Sequence, residues 1–410
     1  MPTEVITLRQ RLRDLDRKLV FATLIAMLLG LVLIYSADHS LEQAVHFNRQ
    51  LVVAAMGVLL ITLLAVLPTR VYYSTAFLAY GFAIALLLLA MTSGIVGLGA
   101  RRWISIAGLK LQPSEAAKIA FILAAARVLS QQHDFVSHWR NVGLVAALAI
   151  VPTALVLAQP DLGTSSLFPV IAAGMLAWLG LPLQFFILFL LPAVSLFWAV
   201  NAWVVTPLIV AGMLFLWRTG IRWVSLTIVL VICLTATVAA PRVWNHLEPY
   251  QQRRLISFLE PSTDPLGSGY QIIQSKVAVG SGGFVGMGYL KGTQTQLRFL
   301  PEQHTDFIFA LAGEEFGFVG TTFTLVVLLV ILWRGFTLAG QTKSQFAGLV
   351  AAGLTTMLAY HIIINIGMAV GLLPVTGLPL PFLSYGGTFL LTCLAAGGIL
   401  LSVGIHRRER

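Results

Sequence analysis

The chain has 410 residues, of which 58% are hydrophobic and 10% charged, against about 25% charged in an ordinary soluble domain. With a mean hydropathy of +0.88, this composition excludes a soluble globular enzyme, a disordered chain, a collagen and a disulfide scaffold. Long apolar runs without strand alternation also exclude an outer-membrane barrel. The net charge of +10 reads as Lys and Arg collecting on the cytoplasmic loops of a membrane protein. A nucleic-acid partner is not expected, since no basic stripe with interleaved aromatics is present.

Residues 1–18 form a polar, cytoplasmic N-terminal tail ending in Arg11, Arg13, Arg17 and Lys18. The first apolar run, 19–37, is long enough to span. Tyr35 occupies the position where a cleavage site would need a small residue, so this run reads as an uncleaved first span. Further apolar runs follow at 51–68, 75–93, 113–130, 142–158, 163–180, 183–200, 202–217, 224–240, 307–333, 346–370 and 383–404. Twelve candidate helices result, with 202–217 the least secure because it is short and carries Pro207. Cys233 and Cys393 fall inside such runs and read as buried thiols, not as a disulfide or a metal site.

Starting from an internal N-terminus, the internal loops hold Arg70, Arg127, Arg140, Arg218, Arg222, Arg334 and Lys343, then Arg407, Arg408 and Arg410 in the cytoplasmic tail 406–410. That is the asymmetry expected of the cytoplasmic side. Two external segments run against it: 94–112, with Arg101, Arg102 and Lys110, and the long loop 241–306, nearly neutral and read as a folded polar layer. The fold class is therefore all-α: a polytopic membrane bundle of about 10–12 transmembrane helices within 19–405, read as one domain carrying a large extracytoplasmic loop.

Polar residues at membrane depth mark the chemistry. In LQPSEAAK, Pro113 suits a first helical turn, and Glu115 and Lys118 share a face three residues apart. They read either as a self-neutralising pair or as a polar cavity wall facing a charged substrate; each charge alone near mid-bilayer would cost about 2.5–3.5 kcal/mol. Asp161, in QPDLGT, reads as the N-cap of the next helix. Asp306 lies where the long loop meets an apolar helix and suits either an N-cap or a functional carboxylate. Glu314 and Glu315 lie roughly 12 Å further along that helix, and at least one must face protein or water. His361 and Asn365 suit hydrogen bonding between helices. GLLPVTGLPLPFLSYGG (371–387) is too rich in Pro and Gly for a helix and reads as a broken or re-entrant segment. Eight glycines between 267 and 292 suit tight turns or a phosphate cradle. Walker A, G-x-S-x-G and H-E-x-x-H motifs are absent.

GSGYQIIQSKVAVGSGGFVGMGYLKGTQTQLRFLPEQHTDFIFALAGEEFG, with QPSEAAK, QPDLGTS and PLPFLSYGG, resembles the SEDS proteins of shape, elongation, division and sporulation, over roughly 19–405. KGTQTQL before FLPEQHTDF is similar to the RodA (elongation) branch more than to the FtsW (division) branch. Ten spans are usual in that family, so 183–240 holds a surplus of two. The resemblance implies a peptidoglycan glycosyltransferase polymerising lipid II at the outer face of the bacterial cytoplasmic membrane, with both termini cytoplasmic. It implies a class B penicillin-binding protein as partner within an elongation complex. It carries the essential acid onto Asp306, the membrane-cavity pair onto Glu115 and Lys118, and a loop arginine onto Arg254 (or Arg253). Arg101, Arg102, Lys291, His304 and Ser384 complete the expected substrate contacts. A divalent cation, Mg or Mn, is the only cofactor considered; no organic cofactor is expected. The competing readings are a lipid II flippase and a division-branch polymerase.

Overall fold

The computed structural model describes residues 14–39, 45–97, 100–106, 109–131, 137–195, 202–246, 252, 256–258 and 268–408. Its helices are α1 (Arg17–His39), α2 (Val45–Val66), α3 (Thr69–Ser93), α4 (Pro113–Leu129), α5 (Ser137–Leu157), α6 (Leu162–Trp178), α7 (Leu183–Ser195), α8 (Ala202–Arg218), α9 (Trp223–His246), α10 (Ser268–Ser281), α11 (Thr293–Gln296), α12 (Ile308–Gln341), α13 (Gln345–Ala369) and α14 (Gly387–Ile405). Among the described residues, α1–α9 and α12–α14 coincide with the twelve apolar runs, including the doubtful one at 202–217. Seven helices are long and apolar enough to cross a membrane by length and composition alone. Side chains such as Leu78 and Phe82 on α3 are 76% and 64% exposed, a state that suits lipid rather than water. The protein is a multi-pass membrane protein.

Two boundaries differ from expectation. The segment 94–112 is not an open loop: β1 (Ile95–Gly97), β2 (Ala100–Ile106) and β3 (Leu109–Leu111) form an antiparallel sheet in that order. With two adjacent arginines in ARRWISI, these short strands show no clear alternation in the sequence. The loop after the ninth run starts later than residue 241, because α9 carries Pro241 in its interior and continues to His246.

The described residues form two compact units, 1–175 with 271–410, and 176–270. The smaller unit holds α7, α8 and α9, packed pairwise around Leu191, Leu216, Leu226, Val229 and Cys233. In the larger unit α13 and α14 are buried along most of their length. Helix α14 packs against α2, α12 packs against α13 and α1, and α4 packs against α3 and α13. Small residues permit the close approaches that replace a hydrophobic driving force in lipid. A Cβ on Gly57 would lie 2.1 Å from Leu394 Cδ1, and one on Gly30 2.7 Å from the Leu383 backbone.

Helix α12 is two helices joined at Gly317, whose φ of 63° and ψ of −159° are non-helical. A break in a ladder leaves amides and carbonyls to be satisfied elsewhere. Here the glycine-rich stretch after α10 supplies them. Phe318 N donates to Gly283 O (3.0 Å) and Val319 N to Phe284 O (3.1 Å), while Met287 N and Gly288 N donate to Glu314 O (2.9 Å) and Glu315 O (3.0 Å). These glycines therefore serve close backbone contact, the tight-turn reading. A Cβ at 317 would meet Gly286 N at 2.3 Å in a conformation essentially restricted to glycine. Gly317→Ala is expected to destabilise the protein by about 3 kcal/mol, measured as a lowered unfolding midpoint in detergent.

Candidate active site

The turn before α12 is built from three side-by-side attachments. Thr305 N and Asp306 N both donate to Glu302 O at 3.1 Å, closing a tight turn on Glu302, whose φ is +50°. Three consecutive carbonyls of that turn are then gripped from outside. His304 O accepts from Tyr385 N (2.8 Å), Thr305 O from Ser384 Oγ (2.6 Å) and Asp306 O from Asn365 Nδ2 (2.9 Å). The helix N-cap position is Phe307, with no side-chain cap hydrogen bond, so Asp306 stands one residue before it. The Asp306 side chain is half-buried. Its Oδ2 lies 3.6 Å from where a Cβ on Gly377 would stand.

The broken segment between α13 and α14 forms the facing wall. Gly377 has a φ of +77° and Phe382 a φ of +67°, which no helix could accommodate. Asn365 Nδ2 also donates to Leu378 O (2.8 Å), Leu380 N donates to Ser384 Oγ (2.8 Å), and Gln50 Nε2 to Ser384 O (3.2 Å). His361 Nδ1 lies 3.2 Å from Pro379 O. Asn365 and His361 thus bond to the backbone of this segment, and in the case of Asn365 to the Asp306 turn as well. Irregular backbone is tolerated at such depth because protein groups satisfy it.

Behind that wall lies the Glu115–Lys118 pair. Lys118 Nζ is 2.8 Å from both carboxylate oxygens, with hydrogen-bond geometry to Glu115 Oε1. It also reaches His361 Nε2 at 3.2 Å and lies over the Phe389 ring at 5.5 Å. An ammonium only donates, so His361 Nε2 accepts and its Nδ1–H faces Pro379 O. The chain Glu115–Lys118–His361–Pro379 links α4 through α13 to the broken segment. Lys118 is 0% exposed, and its partners here are internal.

Arg102, on β2, donates to Gln159 O (2.8 Å) and Pro160 O (2.6 Å) and lies 3.7 Å from Asp161. It ties the sheet to the α5–α6 junction. Asp161 Oδ1 accepts from Thr164 N at 3.0 Å, the expected N-cap. Ser384 is buried, and its hydroxyl both donates and accepts within the protein. Lys291 is exposed in the turn following Gly288. The Arg101 side chain, Arg253 and Arg254 lie outside the described residues. Glu314 accepts from Gln294 N (2.7 Å) and Thr295 N (3.1 Å) at the start of α11, and Glu315 from Ser36 Oγ and Leu290 N (3.2 Å). Both carboxylates face protein.

Sequence reasoning missed the group beside the turn at 302–306. Asp38 Oδ1 lies 2.7 Å from His46 Nδ1, Asp38 Oδ2 accepts from Phe47 N at 2.7 Å, and the His46 ring sits 4.4 Å from that of His304. Burial, and secondarily the neighbouring His46, push the His304 imidazole below its ordinary pKa. Neither Asp38 nor His46 belongs to a motif, and nothing in their spacing points to His304.

The family model of the FtsW/RodA/SpoVE cell cycle proteins matches residues 17–207 and 200–409. The chain is 37% identical over 391 residues to the peptidoglycan glycosyltransferase MrdB of Escherichia coli, covering 94% of each chain. It is 34% identical to the peptidoglycan glycosyltransferase RodA of Treponema pallidum and 34% identical to the stage V sporulation protein E of Bacillus subtilis, covering 96% of this chain and 98% of each relative. Among solved structures, a chain of a peptidoglycan synthase complex that coordinates polymerisation and crosslinking superimposes with a TM-score of 0.72 at 30% identity, covering 97% of this chain and 99% of that one. The rod-shape-determining protein RodA of Thermus thermophilus superimposes with a TM-score of 0.60 at 26% identity, covering 97% and 98%.

Proposed function

Because the chain belongs to the FtsW/RodA/SpoVE family of cell cycle proteins, we propose that Asp306 is the general base of its glycosyl transfer. The protein is a peptidoglycan glycosyltransferase of the RodA type, polymerising lipid II during cell elongation and shape maintenance. Its partner is a class B penicillin-binding protein. The observation that carries the assignment of the base is the turn at 304–306. Three consecutive carbonyls are held by Tyr385, Ser384 and Asn365, and the half-buried carboxylate of Asp306 lies beside Gly377, where no side chain crowds it.

In this reading Asp306 accepts the proton of the 4-hydroxyl on one sugar chain end. The freed oxygen attacks the anomeric carbon of the other, the C–O bond to the pyrophosphate breaks, and configuration inverts. A single carboxylate suffices, because pyrophosphate leaves without a strong acid, and a positioned base contributes about 10²–10⁴-fold. Lys118 and Arg102 are engaged in internal ion pairs, so they act by shaping the cavity wall and the sheet. The exposed Lys291 is assigned to the charge on the pyrophosphate, with His304 lining the approach. Among the described residues no three His, Cys, Asp or Glu side chains gather around a metal position. A Mg or Mn ion at this site would be held in part by the pyrophosphate oxygens and would neutralise their charge.

The active site is assigned to the outer face of the bacterial cytoplasmic membrane, with both termini inside. Support comes from the opposite end of the larger unit. There Asp16 pairs with Arg334, Asp14 lies 3.4 Å from Arg407, and Lys343 N donates to Arg407 O at 3.0 Å. These cations belong on the cytoplasmic side, while Asp306 sits at the other ends of α1 and α13, where Gln303 Nε2 reaches Ala37 O at 3.3 Å.

The purified protein with labelled lipid II in detergent, with its transpeptidase partner, is expected to make long glycan chains. A flippase would make none, because detergent leaves no sides to cross. Membrane-impermeant labelling of a cysteine at position 305 in intact cells is expected to succeed; labelling only after lysis would place the carboxylate on the wrong side and end the assignment.

A further inference from the structure

We infer that Asp38 and His46 are positioning residues for the catalytic turn: the carboxylate orients the His46 ring, and that ring packs at a tilt against His304, two residues before Asp306. The inference rests on Asp306 being the base. A carboxylate oxygen 2.7 Å from His46 Nδ1 accepts, so Nδ1 carries a proton and the ring is held in one plane. The other oxygen of Asp38 accepts from Phe47 N, one of the unsatisfied amides at the start of α2. Asp38 is 2% exposed, and each of its oxygens has a partner. The His46 ring lies 4.4 Å from His304 at 33°, and Tyr385 meets His46 edge-on at 4.8 Å. Tyr385 is also the residue whose amide grips His304 O. The turn is thus held through its backbone by the broken segment and through a side chain by the α1–α2 junction.

This arrangement makes a pH signature. Burial and the adjacent His46 favour the neutral His304 ring, while Glu302 on the same turn and Asp38 partly oppose them. A neutral His304 keeps the ring contact; a charged one beside His46 weakens it. Replacing His46 by Phe keeps an aromatic ring but removes a group that lowers the His304 pKa. Protonation of His304 then moves to higher pH, and the acid limb of activity moves up with it.

The experiment uses full-length protein with its transpeptidase partner. Asp38→Ala is expected to lower kcat about tenfold, in line with the cost of slight misplacement of a base, with KM for lipid II unchanged. Asp38→Asn, which keeps one of the two acceptors, is expected to recover part of that loss. In H46F the ratio of rates at pH 6 and pH 7.5 is expected to fall about threefold below wild type, and ring-nitrogen NMR should show His304 titrating at higher pH. Wild-type rates and an unchanged pH ratio in D38A and H46F, beside an inactive Asp306→Asn, would overturn this inference alone. So would losses that track a lowered unfolding midpoint with no change in the pH ratio or the His304 titration. An active Asp306→Asn overturns the base assignment and this inference with it.

Discussion

Asp306→Ala and Asp306→Asn are each expected to lower glycan-chain formation by about 10²–10⁴-fold while the protein stays folded. The Asn variant is the more informative. Asparagine has nearly the same shape and can still accept a hydrogen bond, so any structural duty survives, but it cannot take a proton from a hydroxyl. An N-cap would behave differently: the Ala change would cost about 0.5–2 kcal/mol and the Asn change almost nothing. Phe307, one residue after Asp306, occupies the cap position. The measurement is chain length and rate with labelled lipid II, beside the unfolding midpoint of each variant. Near-wild-type polymerisation by Asp306→Asn would remove the carboxylate from the chemistry.

Glu115→Gln is expected to be the most destabilising of the single-charge changes at this site, by about 3–5 kcal/mol, because it strands the ammonium of Lys118 where no water reaches it. Lys118→Met should cost a comparable amount by stranding the carboxylate. The double change Glu115→Gln with Lys118→Met removes both charges and is expected to regain most of the lost stability, since a buried pair stabilises little more than apolar side chains of similar volume. Activity should follow stability only in part. The double variant also loses the Lys118–His361 contact that braces Pro379, so its polymerisation should stay several-fold below wild type at full folding. A double variant that folds and polymerises normally would reduce the pair to a structural filler. One as unstable as either single variant would contradict the charge-pair account. Thermal unfolding of the three variants in one detergent settles the first point, and lipid II turnover the second.

Much of this protein was legible without a structure, and the reason differs by feature. The helices followed from run length, because a bilayer demands about 20 apolar residues per crossing and tolerates little else. Asp161 as an N-cap and Pro113 in the first turn of α4 followed from local chemistry, and both hold. The broken segment at 371–387 followed from its prolines and glycines. Glu115 and Lys118 were visible as a pair because both partners lie on one helix face, three residues apart. The β-sheet at 95–111 escaped because strands of three to seven residues carry too little periodicity to stand out.

By itself, then, the sequence determined what is local or compositional: the membrane class, the positions of the helices, and the motif strings by which the family is recognised. Only the tertiary structure decided what each polar residue does. Ser384, expected at the substrate, spends its hydroxyl on Thr305 O and Leu380 N. Arg102 binds the QPD corner, and the glycines near 283–288 close the kink at Gly317. Asp38 and His46 meet His304 across more than 250 positions of chain, a contact with no local trace. Hydrogen bonds and stacking act over a few ångströms in space, and in a bundle of many helices the chain separation of two residues says nothing about whether they fall within that range.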